Sequence, residues 1–169
     1  TSRGLGEVYK RQAGVTANSG DVWVSTLPYL HSVESPEGED TVPNYYSVKE
    51  IPAAEFQQTF LAAYPEASFA GGPETWITGR VENASGRVES ICIGGVTVEG
   101  TQVRSLFGLR SACFTAEAAA DSVTFRVTGF GHGVGMSQYG ANRLAQEGKS
   151  WQEILHWYYT GVTIAPYGG

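Results

Sequence analysis

The sequence predicts an α+β fold: a strand-rich core with a mixed or antiparallel sheet, short helices, and two consecutive helices at the C-terminus. Three observations carry this expectation. In SVTFRVTG (122–129), Val123, Phe125 and Val127 alternate with Ser, Thr and Arg, the period of a strand with one buried face. Turn signals divide the middle of the chain into short β-like runs: NASG at 83–86 and the pair Gly94-Gly95. Late in the chain the apolar period lengthens, with Trp151, Ile154, Leu155 and Tyr158 at i, i+3, i+4 and i+7. Helices grouped after a run of strands are the pattern of an α+β domain.

Taken in order, residues 1–13 show no periodicity and read as a tail, a tag or a truncated element, and 14–169 as one domain. DVWVSTLPYLHSV (21–33) is apolar and β-rich. ESPEGEDTVPNY follows with two prolines and four acids, an exposed loop. Pro52 is placed to open a helix through Phe56, Phe60 and Tyr64, which share one face, and Pro65 ends it. TWITGRVE (75–82) and RVESICI (87–93) form strands. ICIGGVTVE makes a hairpin on Gly94-Gly95, because glycine accepts the positive φ of a two-residue turn. TQVRSLFG (101–108) is a short helix with Thr101 as its cap. The first C-terminal helix spans roughly 136–147, capped by Ser137 and stopped by Gly148. The second opens at Ser150 with Glu153 three residues on, a capping box, and buries Trp151, Ile154, Leu155 and Tyr158.

Bulk composition bounds the function. The chain has 169 residues, 41% of them hydrophobic, enough for one domain with a real core. Only 17% are charged and 22 are glycine, which suits a secreted, strand-rich protein. A net charge of −6 without a basic run argues against nucleic acid, since phosphates need clustered Lys and Arg. Cys92 and Cys113 are read as either a disulfide or two buried thiols; a metal pair is disfavoured without a C-x-x-C. No apolar run approaches the ~20 residues that span a bilayer. No signal peptide is visible, so the sequence reads as a mature chain or a cut piece.

The stretch GFGHGVGMSQYGAN (129–142) carries the chemistry. Glycines at 129, 131, 133 and 135 fall on every second position. In a strand they would strip one face bare, so that a strand, a helix or a ligand could lie against the backbone. Phe130, His132, Val134 and Met136 would occupy the other face, and a helix N-terminus would follow near Ser137. The competing structural reading is that the glycines only allow tight packing. Nucleotide motifs fail here: G-x-G-x-x-G meets Met136, and no G-K-[ST] closes a P-loop. A serine hydrolase using Ser137 with His132 is disfavoured, because G-x-S-x-G fails at Tyr139 and no acid partner stands out.

These residues resemble a family. GHGVGMSQYGANRLAQEGKSWQEILHWYYTGVTI (131–164) is similar to the C-terminal signature of the stage II sporulation protein D domain, also called the SpoIID/LytB or amidase-enhancer domain. GVTANSGDVW, PYLHSVESP, GRVESICIGG and VRSLFGLRS resemble its earlier stretches, so the likeness covers about residues 14–164. The resemblance implies a bacterial peptidoglycan-acting domain of lytic transglycosylase type. Such enzymes cut MurNAc–GlcNAc glycan strands and leave a 1,6-anhydro end, through one carboxyl group that serves as acid and then base. In the family that group is a glutamate in a V-x-x-E-x-P-like segment near the domain's start. This sequence has no such segment, and the expectation is a truncated piece whose acid is cut off or lost. The alternative is a non-catalytic wall-binding or amidase-enhancing module.

The resemblance makes His132 the supporting catalytic candidate, with Gly131, Gly133, Gly135, Ser137, Gln138, Tyr139 and Asn142 as substrate-binding candidates. It implies no cofactor and no metal. The expected partners are peptidoglycan glycan strands, with another cell-wall hydrolase as a second. The expected location is extracytoplasmic, in the wall or anchored through a part outside this sequence. Against these stand blander readings. His31 and His156 read as structural. The Trp151, Trp157, Tyr158 and Tyr159 cluster reads as core before sugar-stacking platform, and Glu34 and Glu37 as members of a solvated loop.

Overall fold

The described residues build six strands and four helices. This computed structural model describes residues 15–16, 18–21, 26–37, 39–40, 42–131 and 133–165. The chain divides into two compact units. One comprises residues 44–131; the other joins 1–43 to 132–169.

The 44–131 unit holds all six strands of the described residues. Strand β1 is Tyr46–Pro52, and helix α1, Ala53–Ala63, follows directly with Pro52 as its N-cap. Strands β2 (Ile77–Glu82), β3 (Val88–Ile93) and β4 (Val96–Glu99) lead into helix α2, Gly100–Phe107. Strands β5 (Phe114–Ala118) and β6 (Ser122–Thr128) close the unit. Two antiparallel three-stranded sheets result, in the orders β1-β6-β5 and β2-β3-β4. The β3–β4 hairpin turns on Gly94 and Gly95, at φ 56° and 81°, as a two-residue turn requires.

Helix spacing decides this unit's core. Phe56 and Phe60, one turn apart on α1, are both fully buried. Phe56 stacks on Phe107 at 4.7 Å between ring centres and meets Trp76 and Phe125 at 6.3 and 6.2 Å. Val123, Phe125 and Val127, the alternating face of β6, close the same cluster. Each such side chain contributes about 1.5–3 kcal/mol on burial.

The other unit is built differently. Helix α3, Gln138–Gln146, and helix α4, Trp151–Tyr158, bury Leu144, Ile154 and Tyr158. A second small cluster joins Leu30 to Val134. Between them, polar side chains hold the backbone. Buried Thr16 accepts at Oγ1 from Val33 N at 2.9 Å, and buried Ser19 Oγ accepts from Leu27 N at 2.7 Å. Asn18 Oδ1 accepts from Ser32 N at 2.8 Å.

Several sequence expectations are corrected. The glycine run is not a strand: β6 stops at Thr128, and Gly129, Gly131, Gly133 and Gly135 take φ of 74°, 76°, 76° and 79°. Glycine serves there because other residues resist positive φ, not because it bares a face. Of the 21–33 stretch, 22–25 lie outside the described residues, and 26–33 form no strand. Its described part is held by side-chain-to-backbone bonds together with isolated backbone bonds, Thr16 N to Val33 O at 2.8 Å and Ser19 N to Leu30 O at 3.0 Å. The cap of α2 is Glu99, not Thr101: Glu99 forms a capping box with Gln102, and the Thr101 hydroxyl donates to it. Trp151 is 59% exposed and Leu155 only half-buried, so the buried face of α4 is narrower than its apolar spacing suggests. Strands β1 and β5 were not expected. Cys92 and Cys113 are thiols, not joined in a disulfide.

Candidate functional site

The glycine run passes from one unit to the other, and each part is anchored separately. In the 44–131 unit, Gly129 N donates to Tyr45 O at 2.7 Å and Gly131 N to Arg110 O at 2.9 Å. Ser111, 1% exposed, bridges to Gly131 and donates from Oγ to Thr128 O at 2.6 Å. The backbone on both sides of Phe130 is thereby fixed. Phe130 itself stands 71% exposed, beneath the Arg110 guanidinium at 5.1 Å.

In the other unit the run enters α3. Val134 is buried against Leu30, and the Gly135 backbone passes Leu30 and the Tyr159 ring. Ser137 then caps the helix. Its Oγ accepts from Gly140 N at 3.2 Å, as an N-cap serine should, and donates to the Glu37 carboxylate. A half-buried carboxylate thus lies beside the first turn of α3, where the unpaired N–H groups favour negative charge.

A second bond lies under the first. Ser35 Oγ and Tyr158 Oη hydrogen-bond at 2.7 Å, both buried. Gly140 faces this pair so closely that a Cβ would fall 2.1 Å from Tyr158 Oη and 2.2 Å from Ser35 Oγ. Burial, above all, pushes the Tyr158 phenol above its usual pKa; the Ser35 bond opposes this and Glu37 reinforces it. Nearby, Trp157 Nε1 donates to Glu34 O at 2.6 Å, and Lys149 lies 5.4 Å over its ring.

The structure distributes the candidate residues unevenly. Ser137 meets Glu37, and Gly135 lies against Tyr159 and Leu30. Gln138, Tyr139 and Asn142 are exposed on the opening of α3, Tyr139 at 46%. Gly133 is half-buried in this unit, and Gly131 half-buried in the other. His132 lies outside the described residues. His31 and His156 are exposed. The tryptophans are corrected from core to surface: Trp151 and Trp157 are 59% and 40% exposed, while Tyr158 is buried.

The sequence places Glu37 in a solvated loop, and its bond to Ser137 corrects that expectation. It and Ser35 sit about a hundred residues from their partners, so no local spacing signals them. Only the glycine at 140, set where a helix would favour alanine, hinted that something presses there. Among the described residues no group of three His, Cys, Asp or Glu could hold a metal ion, and no helix is long and apolar enough to cross a membrane.

No family model matches the chain. Curated relatives do. The chain is 43% identical over 152 residues to the stage II sporulation protein D of Bacillus subtilis (strain 168), covering 90% of this chain and 42% of the relative. It is 38% identical to that of Bacillus amyloliquefaciens, with the same shares covered. The amidase enhancer of Bacillus subtilis (strain 168) matches at 33% over 90 residues, 52% of this chain and 13% of the relative. The chain therefore spans less than half the length of the sporulation proteins it matches.

Proposed function

We propose that this chain, a homologue of stage II sporulation protein D across nine tenths of its length, acts outside the cytoplasm on the glycan strands of bacterial peptidoglycan. That homology is the observation that carries the reading, and the opening of α3 is where we place the contact. Gln138 and Asn142 offer amide donors and acceptors suited to sugar hydroxyls and acetamido groups. Tyr139 offers a half-exposed ring against which a pyranose can rest. His132 lies outside the described residues and stays in this proposal as a sequence candidate, since an imidazole in its neutral form can donate and accept at once. Ser137 has a supporting role, because its oxygen is engaged by Gly140 and Glu37.

The finer reading is lytic transglycosylase chemistry. One carboxyl group protonates the leaving glycosidic oxygen, then takes the proton of the sugar's own 6-hydroxyl as that oxygen closes on the anomeric carbon. Such a group needs a pKa raised toward neutrality. The Glu37 carboxylate already accepts from the Ser137 hydroxyl that caps α3. We therefore assign Glu37 to holding the helix start and leave the acid unassigned within this chain. The reading gives the chain the work of gripping and orienting the strand. Cleavage belongs to a protein that carries it together with a glutamate segment of the V-x-x-E-x-P type.

The match to an amidase enhancer favours one alternative, a non-catalytic module that stimulates another wall hydrolase. One experiment separates them. Peptide-free glycan strands are incubated with the chain joined to such a glutamate segment, and the products are resolved by mass. Release of 1,6-anhydro ends, lost on changing that glutamate to Gln, supports the transglycosylase. Intact strands, with faster cleavage of whole peptidoglycan by a wall amidase, support the enhancer. The absence of both anhydro release and amidase stimulation defeats both readings.

A further inference from the structure

An exposed aromatic ring on a fixed backbone is an unusual use of apolar surface. Phe130 is 71% exposed, more than any other large hydrophobic side chain among the described residues. Yet its neighbours are pinned: Gly129 to Tyr45 and Gly131 to Arg110, with the buried Ser111 hydroxyl tying this corner to the end of β6. A surface ring on a loose loop needs no explanation; a ring held out by two anchored glycines does. A Cβ at Gly129 or Gly131 would meet nothing within 4 Å, so the glycines serve here for their positive φ of 74° and 76° and not for lack of room.

Arg110 completes the arrangement. Its guanidinium lies 5.1 Å from the ring centre, within cation–π range, and Nη1 donates to Asn44 O at 3.2 Å. Asn44 is held at φ 53°, the one positive φ outside glycine among the described residues. Arg110 forms no ion pair among the described residues, whereas Arg80, Arg126 and Arg143 each face a glutamate. In a chain of net charge −6, an unpaired guanidinium fixed over an exposed ring is a specific arrangement. The ring offers a face for the C–H side of a pyranose, and the guanidinium offers its free N–H edge to a carboxylate.

We propose that Phe130 and Arg110 form a binding site for a sugar that bears a carboxylate, the ring taking the pyranose and the guanidinium the acid. This rests on the wall-glycan reading and narrows it. Of the two alternating sugars, the site selects the one whose ether-linked side group ends in a free carboxylate. Phe130 and Arg110 belong neither to the opening of α3 nor to the residues that hold it, so their effect on binding can be read separately.

The test uses the 169-residue chain and two probes: peptide-free glycan strands with carboxylates intact, and the same strands with carboxyl groups reduced to alcohols. Binding is followed by isothermal titration, and each variant's fold by its far-ultraviolet circular dichroism. The parent should bind the acidic strands about tenfold or more tightly than the reduced ones. Arg110→Gln should lose that preference and bind both probes alike, at the parent's weaker level. Phe130→Ala should weaken both probes about equally while keeping the preference for acid. Equal binding of the two probes by the parent, or an undiminished preference in Arg110→Gln, overturns the inference and leaves the wall-glycan reading standing. Failure of the parent to bind either probe overturns both together.

Discussion

The two compact units hold themselves together by different means. Residues 44–131 surround one continuous apolar core, in which Phe56 stacks on Phe60 and Phe107, Phe125 packs tilted against Phe56 and Phe107, and Ile91, Ile93 and Val123 join the same cluster. The unit formed by 1–43 and 132–169 shows, among its described residues, two small apolar clusters and polar bonds that reach across the sequence. Thr16, Ser19, Ser35, Ser137 and Tyr158 all serve as hydrogen-bonding posts there. The contrast teaches where tolerance should lie. An apolar core accepts changes of similar volume, whereas a buried hydrogen bond loses its whole value when one partner goes.

The largest break in this comparison should come from the apolar side. Phe56→Ala removes a fully buried ring flanked by five aromatic neighbours and should cost about 3–5 kcal/mol in urea unfolding. Phe56→Leu should cost markedly less. Next comes Gly140→Ala on the polar side. Helix propensity alone would make it stabilising by about 1 kcal/mol. The collision with Tyr158 Oη and Ser35 Oγ should reverse that sign and cost about 2–3 kcal/mol. Adding Tyr158→Phe should recover part of the loss, a non-additivity visible in a double-mutant cycle.

A pH scan sharpens the comparison. Burial, the largest effect, pushes the Cys113 thiol from 9.0 up to about 11, and Glu82 adds to it while Arg87 and Arg80 oppose it. The unfolded thiol ionises first, so this contribution is complete below pH 9 and is lost as pH rises from 9 towards 11. The loss should amount to about 2 kcal/mol and be absent in Cys113→Ala. Tyr158, also raised by burial, acts in the same direction at higher pH, so the difference between parent and variant isolates the thiol. The smallest effect is Ser137→Ala, which removes the α3 cap and should cost about 1 kcal/mol in thermal melts.

Legibility in the sequence followed the same division. Helix α1, the hairpin at Gly94-Gly95, strand β6 and the capping box at Ser150 announced themselves, because each obeys a local period or a local cap rule. Strand β1 did not: its burial pattern leaves six of seven residues short of full burial, so no alternation is written into YSVKEIP. Strand β5 is short and alanine-rich, which hides a strand signal. The glycine run was singled out rightly as a special backbone but assigned the wrong geometry. Spacing of two fits both a bare-faced strand and a ribbon turning through positive φ at every other residue, and only the measured angles separate them. Glu37 and Ser35 were illegible for a plainer reason: their partners, Ser137 and Tyr158, lie 100 and 123 residues away.

The central claim is that the exposed opening of α3 grips wall glycan, and the most direct measurement is the affinity of the chain for peptide-free glycan strands with and without that surface. The triple variant Gln138→Ala, Tyr139→Ala, Asn142→Ala leaves the cap, Gly140 and the buried Tyr158 pair intact, so it should fold as the parent does. The account predicts that the parent binds and that the variant's affinity falls at least about tenfold, roughly 1.4 kcal/mol. A variant that binds the strands as tightly as the parent would contradict it.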